Sequence, residues 1–305
     1  MKTRINHISP GITRISEPFK GILLDAYGVF WGGNDCGIIP GAKEAMGHLV
    51  ANGKVVGILS NSTQLASKEK NKLHHHGLTE GTHFHFIMTS GEVARHIFIN
   101  EKLPFETPEN KFWLFGGVHP RFSSHQAIFQ DTIYSETSII DKADFIYISI
   151  PHLNGEDQTH PEVFRGEIEK LMPKNLPMIC PNPDHFAHEG KPSRAVLRQG
   201  SIAKIYEEIG GQVFYVGKPH QKAYLMAMHE FAKHACLSPS EVLMVGDTPE
   251  TDIRGARLFG IPSALITQTG IMSDRIALLG LENAIKTLSP HDTPDYFIER
   301  LKNDL

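Results

Sequence analysis

The feature that most constrains this chain is a recurring unit: a short, wholly apolar run that stops at a polar residue and a sharp turn. Ile22-Leu23-Leu24 ends at Asp25, with Gly28, Gly32 and Gly33 close behind. Val55-Val56-Gly57-Ile58-Leu59 ends at Ser60-Asn61-Ser62-Thr63, Val213-Phe214-Tyr215-Val216 at Gly217-Lys218-Pro219, and Val242-Leu243-Met244-Val245 at Gly246-Asp247. Runs that are apolar at every position suit strands covered on both faces, as in a parallel sheet between helices. Helical patterns separate the runs. One spans Ala42 to Ala51 between Pro40-Gly41 and Asn52-Gly53, a polar one ends at His74-His75-His76-Gly77, and a long one covers 222–235. Residues 84–88 form a further strand, followed by a capping box at Thr89-Ser90-Gly91-Glu92. Residues 263–267 close the series as the last strand. Strands alternating with helices predict a doubly wound α/β sheet.

A chain of 305 residues is about twice the usual domain size. The middle of the sequence carries a second α/β series: strands at 112–115, 145–150 and 178–180, and helices at 161–171 and 202–209. The expected organisation is a discontinuous core, 1–90 and 213–305, with a smaller α/β domain inserted at 91–212. The net charge of −4 gives no electrostatic reason for a nucleic-acid partner. Cys36, Cys180 and Cys236 are scattered and odd in number, which suits a reducing compartment. No run of 18 apolar residues and no leader-like N-terminus is visible, so a cytoplasmic protein without a membrane span is expected.

Asp25, Ser60, Lys218 and Asp247 all fall at or just past the carboxyl ends of predicted strands, the edge where open α/β sheets bind ligands. A carboxylate can attack phosphorus, a lysine supplies fixed positive charge, and a hydroxyl donates a hydrogen bond. Two carboxylates offer the hard oxygens that Mg²⁺ prefers. Plainer roles compete. Asp25 can cap a turn, Ser60 and Asn61 can cap a helix, and Gly246-Asp247-Thr248-Pro249 can be a turn. His74-His75-His76 point in different directions along a helix and make a poor metal site. Phe30-Trp31 can wall a pocket or pack the core. One of His185 and His188, after Asn182-Pro183-Asp184, can face a ligand.

Asp25-Ala26-Tyr27-Gly28-Val29, Ser60-Asn61, Gly217-Lys218-Pro219 and Gly246-Asp247 through Asp252 resemble the four ordered motifs of the haloacid-dehalogenase superfamily. The insertion with Asn182-Pro183-Asp184 is similar to the α/β cap of its NagD-like branch, subfamily IIA, and the match runs from about 20 to 270. The resemblance implies a Rossmann-like core with an inserted cap. It also implies a Mg²⁺-dependent phosphatase of a small phosphorylated metabolite, working through an aspartyl-phosphate on Asp25. Asp25, the Tyr27 carbonyl and Asp247 would bind the metal, with Asp252 orienting its waters or Lys218. Ser60, Asn61 and Lys218 would hold the phosphate, and Asn182 and Asp184 would serve specificity. Caps of this type also take part in dimer contacts, so a homodimer belongs to the implications.

One position departs from the pattern. The superfamily's phosphatases carry a second aspartate two residues after the nucleophile as general acid and base, and here that position is Tyr27. A phenol near pKa 10 can donate a proton but is a poor base for water. Losing a general acid–base group typically costs about 10²–10⁴ in rate. Asp-Ala-Tyr-Gly is also how many true haloacid dehalogenases begin, but those attack carbon without metal and lack the Gly-Asp…Asp motif. The phosphatase is therefore the leading reading. Dehalogenase-like or phosphonate hydrolysis at carbon, and a catalytically weak phosphometabolite-binding protein, stay open as alternatives.

Overall fold

The computed structural model describes residues 8–120, 123–191 and 194–304. The apolar runs form the centre of a seven-stranded sheet, parallel throughout. Its order is Ile8–Ser9, Tyr296–Ile298, Ser263–Ile266, Val242–Gly246, Gly21–Leu24, Val55–Ser60, Phe86–Thr89. Gly21–Leu24 is buried at every position because it has a strand on each side and helices on both faces. Ile22 and Leu24 share one apolar cluster with Ala42, Ala45, Met46 and Leu49 of the helix Ala42–Ala51. Leu23 points the other way, into the cluster that holds Ala223, Tyr224, Ala227 and Phe231 of Gln221–Ala232. Truncating such a residue, for example Leu23→Ala, would cost about 2–5 kcal/mol.

The inserted domain has its own parallel sheet of five strands, ordered Val213–Tyr215, Met178–Cys180, Phe145–Ile148, Lys111–Phe115, Ser135–Glu136. Two antiparallel hairpins complete it, Phe186–Glu189 with Arg194–Leu197 and His152–Leu153 with Glu156–Asp157. The strand Val213–Tyr215 therefore belongs to the cap, not to the core as the sequence reading placed it. Met178 pairs with Val213, and the chain re-enters the core only at Val216-Gly217. An apolar run reads the same in either sheet because both are parallel, so the sequence does not assign it. Residues 263–266 are likewise not the last core strand. Tyr296–Ile298 and Ile8–Ser9 extend the sheet, but three and two residues are too few to announce themselves.

Core and cap are welded by one apolar cluster that runs from Leu59 and Met88 through Phe98 of the helix Ser90–Asn100 to Phe112, Phe145 and Ile179. Phe98 lies tilted against Phe129, 4.4 Å between centroids, and Phe112 stacks on Phe129 at 4.0 Å. The expected capping box is half formed. Thr89 Oγ1 accepts the Glu92 N–H at 3.1 Å, but the Glu92 carboxylate turns to the Ala66 N–H at 2.9 Å and caps the neighbouring helix, Ala66–His75. No helix among the described residues is long and apolar enough to cross a membrane.

Candidate active site

The carboxyl edge of the core sheet gathers the charged residues. Asp25 follows Leu24 and donates its N–H to the Val245 carbonyl at 2.9 Å. Lys218 follows the cap's return to the core and is only 1% exposed. Its Nζ donates to Asp25 Oδ1 in a very short contact and to Asp252 Oδ1 at 2.7 Å. Asp252 rides on a π-helical turn, Pro249–Ile253. Its second oxygen accepts the N–H groups of Asp247 and Thr248 at 3.1 and 3.0 Å. Asp247 accepts the Ile271 N–H at 2.6 Å and the Thr248 hydroxyl at 3.2 Å. The backbone closes tightly on that carboxylate. A Cβ on Gly28 or Gly270 would sit 2.4 or 2.0 Å from Asp247 Oδ2, and both glycines have positive φ, so the walls of this site exclude side chains.

Asp25, Asp247 and Asp252 each bring an oxygen within 4.8 Å of the others, the one such cluster of potential metal ligands among the described residues. Asp184, from the cap, joins the same electrostatic group. Four carboxylates thus surround one ammonium. Burial, with Asp252 and Asp184 nearby, pushes the Asp25 carboxyl up to about 7 against the pull of Lys218. Burial and the neighbouring Asp25 and Asp252 push Asp247 well above the usual carboxylate range. Burial works against the Lys218 charge, but Asp25, Asp252 and Asp184 outweigh it and hold the ammonium.

This excess of buried carboxylate over cation fits a divalent ion, and the donors are hard oxygens. The Tyr27 carbonyl accepts no hydrogen bond among the described residues, whereas the Ala26 carbonyl takes three, from Val29, Phe30 and Trp31. It is free to act as a ligand. Both Asp252 oxygens are occupied by Lys218 and two N–H groups, which suits an orienting role rather than ligation.

Above this cluster lies a cavity of about 410 Å³, lined by residues from both domains. Ser60, Asn61, Asn182 and Asp184 all reach its wall. Ser60 Oγ accepts the Ser62 N–H at 3.2 Å, keeping its proton available for the cavity. Asn61 is more committed than the sequence suggested. Its Nδ2 donates to Asp184 Oδ1 at 3.0 Å and to the Lys218 carbonyl at 3.1 Å, while its Oδ1 accepts the Lys218 N–H at 2.7 Å. The side chain positions Lys218 and ties the cap to the core instead of projecting freely as a phosphate ligand. Asn182 Oδ1 accepts the Asp184 N–H at 2.9 Å and shapes the turn that presents Asp184.

The hairpin strand Phe186–Glu189 roofs the cavity. Glu189 Oε2 accepts the Asn34 N–H at 3.3 Å, and His188 Nε2 meets Asp274 Oδ2 at 2.6 Å, joining the cap to the helix Gly270–Leu279. His188 lines the cavity, and His185 does not. Phe30 and Trp31 are buried core residues rather than cavity wall. Tyr27 does line the wall, with Lys72 Nζ 5.5 Å above its ring. Burial, with Glu69 and Glu189 nearby, pushes the Tyr27 phenol above its ordinary value, so it stays protonated at neutral pH. Gln64, Glu69, Lys72, Glu189, Arg198 and Gln199 also line the cavity and were not anticipated. For the first three a signal existed, since they follow the Ser60-Asn61 motif directly.

Comparison with known proteins agrees with this geometry. Residues 22–123 match the family model for haloacid dehalogenase-like hydrolases, and residues 215–303 match a second, HAD-hydrolase-like model. Mouse chronophin is 24% identical over 297 residues, covering 92% of this chain and 90% of its own. Phosphoserine phosphatase of Thermus thermophilus is 39% identical over 61 residues, 20% of this chain, and the match spans only 21% of that enzyme. A haloacid dehalogenase-like hydrolase from Brucella suis superposes with a TM-score of 0.77 at 22% identity, over 96% of this chain and 100% of that one. With the two family models bracketing the inserted cap and together reaching all four strand-end motifs, the chain belongs to the haloacid dehalogenase-like hydrolases.

Proposed function

We propose that the protein is a Mg²⁺-dependent phosphatase of a small phosphorylated metabolite. The observation that carries the reading is Lys218, buried between Asp25 and Asp252 with Asp247 beside them. A carbon-centred hydrolase has no use for that surplus of carboxylates, whereas a phosphoryl group with its cation does. The Thermus relative, a phosphoserine phosphatase, points the same way.

In this mechanism the free Asp25 oxygen attacks phosphorus while the bond from phosphorus to the leaving oxygen breaks, giving an aspartyl-phosphate and a leaving oxygen that takes a proton from solvent water to become the alcohol. Lys218 holds Asp25 in place and offers positive charge to the phosphoryl oxygens. The Ser60 hydroxyl donates to one of them. When bound, Mg²⁺ would neutralise phosphoryl charge, held by Asp25, Asp247 and the Tyr27 carbonyl. The Tyr27 phenol stays protonated, so it can hydrogen-bond the leaving oxygen but cannot take a proton from water. Water then cleaves the acyl-phosphate to phosphate and restores Asp25. The second step therefore lacks strong base assistance, and turnover is slow. The test is Asp25→Asn, an amide of nearly the same shape that cannot form the intermediate. Phosphate release should vanish while the melting curve stays that of a folded protein, and turnover retained in the folded variant overturns the reading.

A further inference from the structure

Asp252 is the centre of the charge network, since one of its oxygens holds Lys218 and the other holds the N–H groups of Asp247 and Thr248. What holds Asp252 itself is a residue that neither the strand-end motifs nor the mechanism uses. Tyr224 follows Lys218 on the helix Gln221–Ala232 and is fully buried. Its hydroxyl donates to the Asp252 carbonyl at 3.1 Å, with the Thr251 carbonyl 3.4 Å away. Burial pushes the phenol well above its ordinary value against the pull of Lys218, so the group stays a donor.

The surroundings are cut to this contact. A Cβ on Gly255 would press on the hydroxyl and ring edge of Tyr224, so only a glycine there admits the ring. The ring lies over Phe259, 5.8 Å between centroids, on the helix Arg254–Phe259 that continues the π-helical turn. On the opposite side Asp252 backs onto Gly246, where a Cβ would collide with its side chain. A π-helical turn is a rare geometry with i→i+5 bonds, and here its main chain is gripped by a phenol at the residue whose carboxylate does the work. The contacts close into a ring. Lys218 leads along its helix to Tyr224, Tyr224 holds the Asp252 main chain, and the Asp252 side chain returns to Lys218.

We propose that Tyr224 is a positioning residue for the phosphoryl-transfer step, acting through Asp252 on Lys218 and through Lys218 on Asp25. A phenylalanine would fill the same apolar space, so the hydroxyl is what the site gains from a tyrosine. Misplacing a reacting group by about 1 Å can cost about 10²-fold in rate, and Lys218 sets where the Asp25 oxygen points. Tyr224 does not line the cavity, so its effect falls on the chemical step and not on substrate binding. The inference rests on the phosphatase reading and adds a residue on which its first step depends.

The experiment follows p-nitrophenolate release from p-nitrophenyl phosphate in a single turnover, with the full chain in excess over the ester and Mg²⁺ present. It compares the unaltered protein with Tyr224→Phe, which removes only the hydroxyl, and with Gly255→Ala, which pushes the ring off the carbonyl from the other side. Phe231→Leu, further along the same helix, thins the apolar core and serves as the control. Tyr224→Phe should lower the maximal rate about 3- to 10-fold, the worth of one neutral hydrogen bond, and leave the half-saturating protein concentration unchanged. Gly255→Ala should lower the rate at least as much. Phe231→Leu should melt at a lower temperature yet keep the rate. An unchanged rate in Tyr224→Phe, a change confined to the half-saturating concentration, or an equal loss of rate in Phe231→Leu overturns the assignment and leaves the phosphatase reading standing. Should Tyr224→Phe fail to fold, the same outcomes are read from Gly255→Ala. No release by the unaltered protein overturns the phosphatase reading, and this inference with it.

Discussion

Magnesium should stabilise this protein in a strongly pH-dependent way, and the size of the effect follows from Asp25. In the metal-free protein burial and the neighbouring Asp252 and Asp184 raise its carboxyl to about 7, whereas in the unfolded chain it titrates near 3.9. The folded state therefore holds this proton more tightly. Its contribution to stability is complete below pH 4 and is lost as pH rises through 7. The cation reverses that trend, because it needs the carboxylate ionised. At pH 5.5 deprotonating Asp25 costs about 2 kcal/mol, so Mg²⁺ affinity should fall about 30-fold between pH 8 and pH 5.5 on this group alone. Asp247, also raised by burial and by the neighbouring Asp25 and Asp252, adds to the loss.

A Mg²⁺ concentration about 100 times the Kd at pH 8 is then only about 3 times it at pH 5.5, and the stabilisation drops from about 2.7 to about 0.8 kcal/mol. For a chain of this size that is a melting shift of about 5 °C shrinking to under about 2 °C. Thermal melts with and without Mg²⁺ across this range, with titration calorimetry for Kd, measure both. In Asp247→Asn, which keeps an acceptor for the Ile271 N–H, the shift should disappear at every pH. A shift constant from pH 5.5 to 8, or one surviving in Asp247→Asn, would refute the assignment of the ion to these carboxylates.

Three further outcomes are expected. Tyr27→Asp should raise turnover of esters with poor leaving groups, by no more than the usual acid–base contribution of about 10²–10⁴; a fall for every ester would make the phenol a working part of the site. Asn61→Ala should lose about 1–3 kcal/mol in urea unfolding, because the buried Lys218 N–H loses its acceptor. It should also lower kcat more than tenfold as Lys218 loosens. His188→Ala removes the 2.6 Å contact with Asp274 and should raise KM more than it lowers kcat, since it frees the cap hairpin without touching Asp25.

The core half of the site was legible because each of its residues is pinned to a strand end. Once Gly21–Leu24, Val55–Ser60 and Val242–Gly246 are read as parallel neighbours, Asp25, Ser60 and Asp247 must share one edge. Lys218 reaches that edge by a different route, from the end of a cap strand, and the motif located it although the sheet assignment was wrong. The cap half was not legible for a physical reason. Arg198, Gln199 and Glu189 stand in no periodic relation to the motifs, and their approach to the cavity depends on how an antiparallel hairpin folds over another domain. Asn61 shows a third case. Its presence at the site was readable, but its role was not, because that role lies in hydrogen bonds to Lys218 and Asp184, 157 and 123 residues away.

The charge balance also links cap and ion. Asp184 arrives with the cap, and its carboxylate is among the charges that raise both Asp25 and Asp247. Seating the cap on a metal-free core therefore crowds a fourth buried carboxylate around a single ammonium, an unfavourable arrangement in a low-dielectric site. A divalent cation removes much of that repulsion, so it favours the seated cap, and the seated cap in turn favours the cation by the same free energy. The Asn61–Asp184 hydrogen bond holds the cap's carboxylate within reach of the core. The position of the cap, which brings Asp184 to the core, and the binding of an ion are thus tied together by electrostatics rather than by a shared residue.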